Sequence, residues 1–231
     1  MIVHHIDSHF SLKVIKLYDY VCDCYLFQHP KRYDTVVAVS NYWKEEFESK
    51  GLRNVKVIYN SFNPEDFSFS QESKDAFRKK YNLCGKPLIY LGNCRKGKGA
   101  EESYEVLKDM DVNFVTSGLS DISLPLPNLL LSAEEYRLLL ASSDVVLTMS
   151  TFKEGWNRTA HEASLCGTPV IGTGIAGMKE LLEIANQRIV PDFKYLPIAV
   201  LSALECKYTP SSRLLFLDLN YFKDNWISVL R

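Results

Sequence analysis

Glu154 and Glu162 stand eight positions apart in the stretch EGWNRTAHEASLCGTPVIGTG, residues 154 to 174, ahead of a Gly-Thr-Pro turn and an apolar run. A helix that starts near Asn157 or Arg158 puts Glu154 in the preceding turn and Glu162 about one turn inside, at ~1.5 Å rise per residue. Carboxylates strung out in this way serve different parts of an extended, hydroxyl-rich molecule better than they serve one metal ion. The unpaired N–H groups of the first helical turn lie between them and suit a phosphate. Glutamates on a solvated helix are the bland alternative. What separates the two readings is position, because a strand-to-helix turn at the carboxyl edge of a parallel sheet is where ligands collect.

Three other loops carry chemistry-bearing residues. GNCRKGKG, residues 92 to 99, combines glycines with Arg95, Lys96 and Lys98, a composition that cradles phosphate or makes a solvated basic turn. It lacks the Gly-Lys-Ser/Thr ending of a Walker loop. GTGIAG, residues 172 to 177, is a Gly-rich turn before a further helix, and such turns recur in many α/β folds. The opening HHIDSH places His4, His5, Asp7 and His9 at the end of a first strand, where alternation sends His4 and His5 to opposite faces and disfavours a metal site.

The elements that must position these loops read as a parallel α/β architecture. Short β-branched runs (MIVHHI, TVVAVS and VKVIYN) alternate with the amphipathic NYWKEEFESKG, which Ser40 or Asn41 caps and Gly51 ends. The segment 61–73, polar and interrupted by Pro64, reads as a linker. A fuller series follows: a helix that starts at about residue 74, strand 87–92, helix 101–110, strand 112–118, a Pro-rich loop, helix 132–143 with Ser132 and Glu135 in capping-box spacing, and strand 144–150. Helix 158–166, strand 169–173, helix 178–187 and a strand near RIVP complete it, and 195–231 is largely helical. Continuously apolar strands separated by helices indicate a parallel sheet covered on both faces. The expected division is a short α/β unit with linker at 1–68, a Rossmann-like domain at 69–190 and a helical segment at 191–231 that packs back on the chain.

Composition narrows the function classes. With 27 basic and 28 acidic side chains in 231 residues the net charge is −1, so no basic face advertises nucleic acid. The cysteines at 22, 24, 84, 94, 166 and 206 are too sparse for a disulfide scaffold and lack zinc spacing, and no secretory pattern precedes them, which makes a reducing cytoplasm the simplest compartment. No run approaches the roughly 18 apolar residues of a membrane span. The Asp109-Met-Asp111 motif falls between a helix end and a strand start, the wrong edge for a ligand, and the sequon Asn157-Arg158-Thr159 has no secretory context.

Taken in order, these pieces resemble the retaining nucleotide-sugar glycosyltransferases of the two-domain GT-B fold. The resemblance covers about residues 34 to 190: VVAVSNYWKEEFESKGLRNVKVIYNSFNPEDF is similar to the interdomain crossing, YLGNCRKGKGAEE to the phosphate loop, and the stretch from LLLASSDVV to MKELL to the donor-binding core. It implies that Glu154 contacts the donor sugar and Glu162 accepts the ribose hydroxyls. Backbone around Gly155, Trp156, Asn157, Arg158 and Thr159 then holds sugar and diphosphate, and Lys98, with Gly92 beside it, serves the phosphates. Asn93 stands where the family carries an arginine, so Arg95 or Lys96 is expected to supply the second charge. His5 or His9 fills the place of a strand-end histidine near the donor sugar.

The activity implied is metal-independent transfer from a UDP- or GDP-sugar to a glycan, lipid or protein acceptor, with retention, no cofactor, and no covalent role for Glu154. Peripheral membrane contact and a homodimer stay open as associations. With about 34 residues ahead of the crossing, the resemblance implies an acceptor-side domain that is expected to be shortened in this sequence. The alternative is a noncatalytic nucleotide-sugar-binding or scaffolding subunit whose cleft a partner completes.

Overall fold

The structure, a computed structural model, describes residues 34–205 and 207–231. It opens with a small parallel unit: strand β1 (Val36–Ala38), helix α1 (Asn41–Ser49) and strand β2 (Val55–Val57). Ser40 is the residue that caps α1, accepting from the Trp43 N–H, and Gly51 follows the helix in the left-handed conformation at φ 88°. Val36, Ala38, Leu52 and Val55 form its own small core, with Trp43 and Phe47 packed against it.

The segment after β2 is less of a linker than its polarity suggests. A 3-10 turn, Pro64–Phe67, starts at an Asn63 cap, and Phe67 is buried in the main core. Helix α2 (Gln71–Lys80) then begins ahead of position 74, because the Ser70 hydroxyl accepts the Ser73 N–H and fixes the first turn there.

The main body is a six-stranded parallel sheet. Its elements are β3 (Leu88–Tyr90), α3 (Ala100–Leu107), β4 (Asn113–Ser117), β5 (Asn128–Leu129), α4 (Ala133–Ser142), β6 (Val145–Thr148), α5 (Arg158–Leu165), β7 (Val170–Gly172), α6 (Gly177–Ile184) and β8 (Arg188–Ile189). Helices α7 (Leu196–Leu204), α8 (Ser212–Leu215) and α9 (Leu219–Leu230) follow. The spatial order is β5-β4-β3-β6-β7-β8, the doubly wound order of a Rossmann-like domain. β5 lies in what reads from sequence as a Pro-rich loop. Two residues give no period to detect, and only pairing with Thr116 and Ser117 makes them a strand.

Alternation along the central strands feeds two cores. Leu88, Tyr90, Val146 and Val170 face one layer, with Leu139, Leu140, Met178 and Leu181 of the helices. Ile89, Leu91, Val145, Leu147 and Ile171 face the other, with Leu107, Leu196 and Val200. Each fully buried Leu or Ile contributes about 1.5–3 kcal/mol, so burial on both faces holds the central strands in the sheet. The capping box at α4 forms as spaced, with Glu135 N–H to Ser132 Oγ at 3.2 Å and Ser132 N–H to Glu135 Oε2 at 3.1 Å. Asp109 and Asp111 lie between α3 and β4, at the edge remote from the strand carboxyl ends.

Candidate functional site

β3 and β6 are neighbours from which the sheet is wound in opposite directions, and this switch point opens a crevice beyond their carboxyl ends. The loop after β3 is pinned to the loop after β6 by the Thr151 N–H, which donates to the Gly97 carbonyl at 2.8 Å. Gly99 completes the junction: at φ 78° it starts α3, and a Cβ there would stand 2.1 Å from the Met149 carbonyl oxygen. No other residue allows the backbones to approach so closely, which brings Lys98 to the end of β6.

Lys98 meets Glu154 there. Its Nζ donates to Glu154 Oε1 at 2.9 Å and sits 4.6 Å from the centre of the Phe152 ring. The same oxygen accepts from Ser150 Oγ at 2.6 Å and from Asn157 Nδ2 at 3.4 Å. Glu154 is 6% exposed, so its charge is held by one partly buried cation and two polar donors. Its backbone is held as firmly, since the Glu154 carbonyl accepts from Trp43 Nε1 at 3.0 Å and from the Gly177 N–H at 3.1 Å.

Asn157 caps α5, its Oδ1 accepting the Ala160 N–H at 2.8 Å. The amides of Arg158 and Thr159 are first-turn groups with no intrahelical acceptor. Glu162 follows within the helix and is 7% exposed; Arg158 Nη2 lies 3.3 Å from its Oε1. Burial pushes the Glu162 carboxyl above its ordinary value of 4.5, against the opposing pull of Arg158. The folded state therefore holds this proton more tightly than the unfolded chain does. The resulting stabilisation is present below pH 4.5 and is lost as pH rises through the raised value. Glu162→Gln is expected to gain stability on the wild type between that pH and neutrality, as measured by urea denaturation at each pH. A difference that stays flat with pH would contradict the assignment.

On the β4 side of Glu162 a cleft of about 420 Å³ is lined by Tyr90, Asn93, Arg95, Ser117, Tyr136 and Thr159, among others. Tyr136 and Thr159 share a hydroxyl hydrogen bond of 2.8 Å, as do Tyr90 and Ser117. Burial pushes the Tyr90 phenol up to about 12, so both ends of its hydrogen bond stay neutral. Arg95 is buried in the wall, with Nε directed to the Leu119 carbonyl at 3.4 Å, whereas Lys96 is exposed.

The fold thus brings together Gly92, Asn93, Arg95 and Lys98 from one loop and Glu154 to Thr159 with Glu162 from the other. His5 and His9, like His4, Asp7, Cys22, Cys24 and Cys206, lie outside the described residues. Among the described residues no three His, Cys, Asp or Glu gather as a metal group, and no helix is long and apolar enough to cross a membrane. Sequence spacing missed Ser150, which holds Glu154, and Trp43 and Gly177, which hold its peptide. A serine closing an apolar strand just before a charged loop is the one signal that could have pointed to Ser150.

No protein-family profile matches the chain. An uncharacterized glycosyltransferase of Methanocaldococcus jannaschii, MJ1607, is 28% identical over 173 residues, 64% of this chain and 44% of the relative. This chain therefore spans less than half the length of the curated relative it matches. Among solved structures, Anabaena Alr3699/HepE in complex with UDP-glucose superposes with a TM-score of 0.77 at 19% identity, covering 96% of this chain and 68% of that one. A glycosyltransferase from Rickettsia africae gives 0.74 at 18% identity, over 98% and 67%. The sucrose-phosphate synthase of Thermosynechococcus elongatus gives 0.71 at 16%, over 99% and 63%.

Proposed function

We propose that this chain, which has the fold of the GT-B glycosyltransferases, moves a sugar from a nucleoside diphosphate sugar to a hydroxylated acceptor, with retention at the anomeric carbon and without a metal. The observation that carries the reading is the pair of buried glutamates at the switch point, each matched to one cation: Glu154 to Lys98 and Glu162 to Arg158.

A ligand with hydroxyls at both ends and a diphosphate between them exchanges partners with both pairs. Ribose hydroxyls donate to Glu162, and sugar hydroxyls donate to Glu154. The diphosphate takes Lys98 and the first-turn amides of Arg158 and Thr159. Rupture of the sugar–phosphate bond moves negative charge onto the leaving diphosphate, where a fixed cation and helix N-terminal dipoles stabilise it without reorganising. Glu154 stabilises the positive charge that develops at the anomeric centre while the acceptor approaches from the face the diphosphate leaves. The cleft beside Tyr90 and Tyr136 then accommodates the base. UDP-glucose, bound by the Anabaena protein, is the first donor to try.

The test is calorimetric titration with UDP, GDP and ADP and their glucose and mannose conjugates, followed by anomeric NMR of the product formed with a panel of sugar, lipid and peptide acceptors. A retained anomeric product is the expected result. Binding without any product favours a noncatalytic subunit, and no binding by folded protein overturns the reading. Glu162→Ala is expected to weaken nucleotide binding about 10- to 100-fold, the cost of losing hydrogen bonds to a charged acceptor. The corresponding 2′,3′-dideoxynucleotide should bind both proteins alike.

A further inference from the structure

Trp156 lies in the loop between the two glutamates, yet its indole is buried, 5% exposed, and faces inward. Its Nε1–H donates to His161 Nδ1 at 3.1 Å. His161 is fully buried on α5, its Nε2 has no hydrogen-bond partner among the described residues, and the Phe62 ring lies nearly perpendicular to it at 4.8 Å between centroids. Burial lowers the imidazole to about 3, so it is neutral, and accepting from Trp156 places its one proton on Nε2. A leucine would remove the unpaired Nε2–H but would strand the buried Trp156 N–H. The imidazole is there for its acceptor.

One face of the indole is covered from the chain that follows β2. The Tyr59 ring lies 4.9 Å from Trp156, and its hydroxyl donates to Glu180 Oε1 at 2.5 Å. Glu180 also accepts from the Asn41 N–H at 2.7 Å and from the Asn41 side-chain amide. The Trp43 indole reaches from the small N-terminal unit to the Glu154 carbonyl. The peptide from Glu154 to Trp156 is therefore gripped by aromatic residues of one unit and by a histidine of the other.

We propose that His161 and Tyr59 are positioning residues for the donor sugar: by fixing the N–H edge and one face of the Trp156 indole they hold the Gly155–Asn157 backbone and the Glu154 carboxylate where the sugar binds. The inference rests on the function proposed above and names how that site is held. It places control of the sugar end in contacts that cross between the two units, whereas the nucleotide end depends on Glu162 and the cleft beside β4.

The test compares His161→Leu, His161→Asn and Tyr59→Phe, all in the full chain. Asn offers a carbonyl oxygen close to the place of Nδ1, so it restores the acceptor. In ligand-free protein, His161→Leu should shift the Trp156 indole N–H resonance and speed amide exchange at 155 to 157, while β3 and β6 exchange as in the wild type. His161→Asn should restore both, and Tyr59→Phe should speed loop exchange to a lesser degree. With ligand, His161→Leu should weaken UDP-glucose binding by about tenfold while UDP binding changes by less than about twofold, since only the sugar contacts move. Unchanged loop exchange in His161→Leu, equal losses for UDP and UDP-glucose, or failure of Asn to rescue overturns the proposal. If the wild type binds neither ligand, the proposed function fails, and the exchange data still decide whether His161 holds the loop.

Discussion

Glu154→Gln is expected to lower sugar transfer by about 100- to 1,000-fold while leaving UDP affinity within about twofold, the signature of an electrostatic contribution made mainly in the transition state. The geometry makes this substitution clean. Among the described residues, Lys98, Ser150 and Asn157 all donate to Oε1 of Glu154. A glutamine carbonyl can take that place and keep the three donors, so the loop stays folded. The other carboxylate oxygen becomes an NH2 group, which reverses its hydrogen-bonding sense and removes the charge that a developing positive centre requires. Glu154→Ala is a poorer probe because it strands Lys98, whose side chain is 25% exposed, without its partner. Steady-state transfer rates and calorimetry on the Gln protein check the expectation, and turnover within about threefold of the wild type would remove Glu154 from the mechanism.

Gly177→Ala is expected to be a severely damaging single-methyl change at the candidate site. A Cβ at residue 177 would lie 1.8 Å from the Gly155 carbonyl oxygen and 2.7 Å from Ser40 Oγ. The first obstacle is backbone, so no rotamer relieves it, and α6 must withdraw. That movement breaks the Gly177 N–H bond to the Glu154 carbonyl and carries Glu180 away from Asn41 and Tyr59. Overpacking of this kind costs about 3 kcal/mol, with lost donor binding on top. Gly155→Ala is the internal control: its Cβ meets Val39 Cγ2 at 3.2 Å, a side chain that can yield. Urea denaturation should separate the two variants by about 2 kcal/mol, and equal midpoints would show that the 154–177 contact is soft.

The doubly wound domain and the two loops that line the candidate site were legible in the amino-acid pattern. Strands such as LIY and VVLT are buried at every position and almost wholly apolar because both faces are covered, and Ser40, Ser132 and Asn157 announce helix starts through hydrogen bonds that span three residues. Local rules of this kind also placed Glu154 in a turn and Glu162 in a helix. They failed at β5, which at two residues is too short for a period to show, and at the start of α2, where a polar first turn capped by Ser70 reads as linker.

Which groups meet was settled by the way the chain packs. Lys98 and Glu154 are 56 residues apart in sequence, Trp43 and Glu154 are 111 apart, and Asn41 and Glu180 are 139 apart. No spacing rule reaches so far. Those meetings depend on how closely backbones pack, which Gly99 and Gly177 set by having no side chain, and on the order in which the strands assemble. The composition of the site is thus written locally, whereas the partner that neutralises Glu154 and the grip on its peptide arise only when the sheet closes around its switch point.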